Sequence, residues 1–207
     1  MKGINDFIFE KLTLNKDTAK VKYPKGVFPL YTDMSLSPID DDDKIIGVGI
    51  NPENAEGCEP FGIINKQIPL CRFSNSSNIA NAFAGQKLIT TESAAFEHFD
   101  GYDDTQRILN ALGNDAIAIN KIADIAKEFN IYDSYIPSIG EWKVIFSYRK
   151  EIDNILGSTS SFFRANYYAS STPADDGSNI FVYNPLANSI SKAATTISRP
   201  LFVAFKL

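Results

Sequence analysis

The stretch at residues 135–156, YIPSIGEWKVIFSYRKEIDNIL, constrains this chain more than any other, because it holds the only Trp and the best-defined helix start. Ser138 and Glu141 have the spacing of a capping box: the hydroxyl accepts from one free helix N–H and the carboxylate reaches back to another. Pro137 shuts the preceding segment out of the helix. Trp142, Ile145, Phe146, Ile152 and Leu156 then recur at helical spacing and predict one helix with a buried stripe, leaving Lys143, Arg149, Lys150 and Asp153 in water.

A chain of 207 residues, 44% hydrophobic and 22% charged, is long enough for one large domain or two small ones and for a sizeable core. Lys and Arg number 20 against 25 Asp and Glu, so the net charge of −5 leaves no electrostatic footprint for nucleic acid and disfavours acidic membranes. No apolar run reaches signal-peptide length at the start or the ~20 residues of a membrane span, which predicts a soluble chain without membrane insertion. Cys58 and Cys71 are expected as free thiols rather than a bridge. With one His and this Cys spacing, a structural zinc site is not credible.

Residues 1–22 read as an amphipathic helix and connector, with Ile4, Phe7, Ile8 and Leu12 on one face. Two uses of that face stay open: packing on its own domain, or anchoring as an arm on a neighbouring protein. Strand patterns follow at 27–36, 44–50 and 61–73, separated by turn residues. The four aspartates at 40–43 read as a solvated turn, since a calcium loop needs alternating ligands. Helices are expected at 103–112 and 115–129, the second with an inward stripe of Ile119, Ile122, Ala126 and Phe129 and a left-handed cap at Asn130. Candidate strands at 166–172, 180–184 and 200–207 close the chain. A terminal strand as apolar as LFVAF must be paired inside a sheet, most simply beside a strand from the beginning of the chain.

Four blocks in order, DGYDDTQRIL at 100–109, YIPSIGEW at 135–142, YYASST at 167–172 and RPLFVAF at 199–205, resemble a C-type-lectin-like domain. The resemblance is to the branch of the formylglycine-generating enzymes and the phage major tropism determinant, found in many Bacteroidetes surface and phage proteins. It covers residues 24–207, with Ile136 in place of the usual Leu and Ala169 inserted in the aromatic-Ser-Ser element. It implies an α+β fold, two helices packed on twisted antiparallel sheets with the N- and C-terminal strands of the domain paired, over residues 23–207. The leader INDFIFEKLTLNKDTAK also looks like leaders on proteins of crAss-like Bacteroides phages, which implies a virion protein.

The enzymes of that branch need reactive cysteines late in the domain, whereas both thiols here precede residue 72. Calcium-lectin motifs of the Glu-Pro-Asn and Trp-Asn-Asp kind are absent from the sequence, so no metal or cofactor is expected. His98, the sole histidine, is expected to make ordinary hydrogen bonds rather than join Ser93 and Asp100 in a triad, and Asp103, Asp104 and Glu141 to complement helix dipoles. What remains is a display surface. In the resembling tropism determinants the ligand face lies between the aromatic-Ser-Ser element and the last strand, which here holds Asn166, Tyr167, Asp175, Asp176, Asn179, Tyr183 and Asn188, a Tyr and Asn/Asp mixture common in evolved binding loops. The expectation is a non-enzymatic phage virion protein (a head-fibre, capsid-decoration or tail-associated subunit) acting as an oligomer in host or mucus attachment. The alternatives are a bacterial cell-surface adhesin or glycan-binding module, and an enzyme on a formylglycine-generating-type scaffold.

Overall fold

The computed structural model describes residues 23–39, 43–86, 89–157, 167–174 and 177–207. The strand patterns of the first half become β1 (Gly26–Tyr31), β2 (Ile45–Asn51), β3 (Phe61–Ile64) and β4 (Ile68–Arg72). The helical patterns become α1 (Glu92–Phe96), α2 (Gly101–Leu112), α3 (Ile117–Lys127), α4 (Ile139–Ser147) and α5 (Arg149–Leu156), with the short strand β5 (Ser134–Tyr135) before α4. Five strands finish the chain: β6 (Tyr168–Ala174), β7 (Asn179–Asn184), β8 (Ser189–Ala194), β9 (Ser198–Leu201) and β10 (Ala204–Lys206). The class is α+β with antiparallel sheets, as expected, but five α-helices are described where the lectin-like resemblance implies two.

The largest sheet runs β1-β2-β3-β10-β5. The last strand therefore shares a sheet with the first strands, but the expected pairing of the first with the last is corrected: β1 sits at the edge against β2, and β10 pairs with β3. The segments at 61–73 and 200–207, each expected as one strand, both break in the middle. Pairing continues from Phe61↔Lys206 to Arg72↔Ser198, but at the bend residues 64–67 face only residues 202 and 203, and the two extra residues turn the ribbon, so that β4 and β9 leave the main sheet together. Ile64 bridges the bend by donating to the Val203 carbonyl at 3.0 Å.

Alternation along the strands gives the main sheet two buried faces. Phe28, Leu30 and Phe205 pack with Ile108, Ile119 and Ile122 of α2 and α3, while Val48, Ile50, Phe61 and Ile63 pack with α4, α5 and the β6-β7-β8 sheet. Of the expected inward stripe, Ile119, Ile122 and Ala126 are buried within α3, whereas Phe129 lies beyond the end of the helix, half-buried against the same core, and Asn130 takes φ 57° behind it. Helix α4 starts on the expected capping box, with Ser138 Oγ accepting from the Glu141 N–H and the Glu141 carboxylate accepting from the Ser138 N–H. The expected single helix instead breaks at Tyr148. In an uninterrupted helix Arg149 would fall on the stripe of Trp142 and Ile145. Leaving helical geometry at Tyr148 turns Arg149 out to within 3.7 Å of Asp153 and still buries Ile152 and Leu156.

Trp142 is fully buried, and its indole N–H donates to the Ala169 carbonyl at 3.0 Å, tying α4 to β6. Tyr168 and Phe202 pack on its ring with centroids 5.0 and 6.0 Å away. Strand β8 was not expected: SISKAA carries too little apolar alternation, and it is held by its hairpin with β7. No helix among the described residues is long and apolar enough to cross a membrane. The expected arm, including Ile4, Phe7, Ile8 and Leu12, lies outside the described residues.

Replacing Trp142 by Phe removes the bond to Ala169 and part of a buried ring. Urea unfolding should show a loss of about 2–3 kcal/mol; a loss within error would mean that the indole contact contributes nothing to the fold.

Candidate functional site

The loop between β2 and β3, NPENAEGCEP at 51–60, is acidic and lies between two openings. The larger is a cleft of about 760 Å³ between the loop and α4. Phe96, Phe99, Val144 and Tyr148 supply its apolar surface, and the exposed residues Glu53, Glu56, Glu97 and Glu151 line it with Lys143. The Tyr148 hydroxyl accepts from the Glu53 N–H at 3.2 Å, which fastens the loop to the end of α4. Lys143 holds its ammonium over the Phe96 ring, 5.3 Å from the centroid.

The smaller cleft, about 390 Å³, lies on the other side of the loop and shares Phe99 with the first. Glu59, Asp100, Tyr102, Asp103 and Lys206 line it, with Tyr135 and Glu141 at the buried end. Lys206 stands over the Tyr102 ring at 3.6 Å. Glu141 is 4% exposed, and its carboxylate accepts from the Tyr135 hydroxyl (2.8 Å), the Ser138 N–H (2.7 Å) and the Ser138 hydroxyl (2.8 Å). Burial raises its pKa to about 7 against the pull of those donors, and the nearby Asp104 adds to the rise. Two glycines let the helices close on this carboxylate: a Cβ at Gly101 would meet Glu141 Oε2, and one at Gly140 would meet the His98 carbonyl that accepts the Gly140 N–H.

Behind this cleft His98 Nε2 and Asp104 Oδ2 are 2.5 Å apart, and Arg107 reaches the other Asp104 oxygen at 3.0 Å. Burial alone would lower the His98 pKa, but the hydrogen bond and charge of Asp104, with Asp100 and Glu141, raise it. Asp104 therefore does more than the expected dipole complement: it is a buried bridge between the segment before α2 and Arg107 within that helix. Ser93 is exposed, and no bond joins it to His98. Cys58 and Cys71 are free thiols. Burial, then Glu141 and Glu59, push the Cys58 thiol up to about 12, which keeps it protonated at neutral pH.

The expected ligand face is placed differently. Strand β6 is buried along its whole length. Tyr183 is a correction: its ring is 1% exposed and stacks on Phe146 at 5.0 Å, so it belongs to the core, and its hydroxyl donates to Asn188 Oδ1 at 2.5 Å. Asn188 is an exposed turn residue with φ 46°, Asn179 opens β7 half-buried, and Tyr167 is 38% exposed ahead of β6. Asn166, Asp175 and Asp176 lie outside the described residues. The residues around the acidic loop were missed because they come from segments far apart in sequence; three Glu within ten loop residues was the available signal. Compared with family models, curated proteins and solved structures, the chain matches none.

Glu141 binds its proton more tightly folded than unfolded, so its contribution to stability is full below its ordinary value of 4.5 and is lost as pH rises through about 7. Between those limits wild type should lose about 3 kcal/mol relative to Glu141→Gln, which keeps an acceptor for the cap. Parallel unfolding curves for the two proteins across that range would show that the carboxyl does not titrate there.

Proposed function

We propose that this chain is a binding rather than a catalytic protein, a lectin-like display domain carried on a phage particle through residues 1–22. The observation that carries the reading is where the reactive side chains spend their bonds. His98, Asp104, Tyr135 and Glu141 bond to one another or to the start of α4, and Cys58 is held as a thiol. The open clefts are lined instead by exposed carboxylates and aromatic surface, which suit contact with a partner.

The resemblance to C-type-lectin-like domains is supported by the roles its blocks play. Gly101 of the first closes on Glu141 of the second, Trp142 of the second bonds to Ala169 of the third, and the fourth supplies β9 and β10. As a head-fibre, capsid-decoration or tail-associated subunit the chain would work by avidity, many weak copies giving firm attachment to host or mucus. The same frame serves a bacterial surface adhesin, the second reading, which differs in the carrier rather than the face.

Deleting residues 1–20 should leave a domain that still unfolds cooperatively but no longer co-sediments with particles. A truncated chain that still incorporates overturns the anchoring role.

A further inference from the structure

The two clefts flanking loop 51–60 form one face, joined at Phe99. Its charge is unbalanced: among the described residues none of Glu53, Glu56, Glu97 and Glu151 has an ion-pair partner, although they share one cleft. Among the described residues that line it, the two cations are both placed over aromatic rings, Lys143 over Phe96 and Lys206 over Tyr102. An aromatic surface bordered by carboxylates is the environment that an alkyl ammonium prefers, stem on the rings and charge at the acids.

We infer that this face binds a lysine-bearing extended segment of a partner protein, seated across Phe96, Phe99 and Tyr148 with its ammonium groups at Glu53, Glu56, Glu97 and Glu151. A neutral glycan would leave those charges unanswered and a nucleic acid would be repelled. A metal ion is not favoured either, since no three His, Cys, Asp or Glu among the described residues converge on one point. The inference rests on reading the chain as a binding module and is independent of its carrier.

The test is fluorescence anisotropy of the full chain with a labelled peptide alternating Lys and Gly over eight residues, beside the Glu-Gly counterpart and a neutral oligosaccharide. The Lys peptide alone should bind saturably, more weakly as salt rises. The variant Glu53→Gln/Glu97→Gln/Glu151→Gln should lower affinity at least about tenfold. The variant Asp33→Asn/Asp124→Asn/Glu128→Gln changes net charge by the same amount away from the cleft and should bind as wild type. Absence of saturable binding, equal loss in both triple variants, or binding of the oligosaccharide instead of the peptide each overturns the inference. The last of these keeps the binding-module reading, whereas turnover of a bound ligand would remove that reading too.

Discussion

A carboxylate almost removed from water, that of Glu141, sits where the start of α4, the start of α2 and β5 meet. Leaving it charged there is costly, and three hydrogen bonds, two from Ser138 and one from Tyr135, offset part of that cost. The geometry of the junction follows from keeping those bonds. Gly101 has no side chain because the carboxylate occupies the space, and Gly140 has none because the His98 carbonyl does. Trp142, next along, then points from the junction into the core and bonds to β6. One buried charge thus fixes two helix starts and, through its neighbour in sequence, the position of the second sheet.

The ribbon of β3-β4 against β9-β10 does the corresponding work for the strands. Because two extra residues are accommodated on one side of the bend, a single antiparallel pairing serves two sheets, and its apolar residues reach the cores on both faces of the main sheet. The β2–β3 loop enters this ribbon at Phe61, and Tyr148 pins its other end at Glu53. The acidic face is therefore mounted on rigid elements at both ends, although the loop itself is exposed.

What could be read from the residues was the chemistry that acts over short spans. The Ser138–Glu141 cap, the Ile119, Ile122 and Ala126 stripe of α3 and the left-handed Asn130 depend on neighbours three or four positions away, and each stands in the structure as expected. The break at Tyr148 was also present in the pattern, as an Arg on the apolar stripe, but a helix bending to keep it wet is resolved only by the packing of Ile152 and Leu156. Trp142 could be assigned to the core, yet its acceptor is a backbone carbonyl 27 residues away, which no side chain announces. Tyr183 was misplaced because Tyr suits a core and a contact surface equally, and only the neighbouring Phe146 decides between them.

The clefts were illegible for a related reason, and the reason bears on what such a surface can do. Glu53, Glu97 and Glu151 stand about fifty residues apart in the sequence, each unremarkable as a solvated charge, and only the fold gathers them. Gathering like charges raises the energy of the folded state, and here that cost is borne in the open cleft with a single cation, Lys143, among the described residues that line it. The buried junction beside it shows the opposite treatment: Asp104 is neutralised by His98 and Arg107, and Glu141 is surrounded by donors. A fold that satisfies the buried carboxylates of this junction while leaving a row of others unanswered around an aromatic floor places its capacity for a cationic partner on that face.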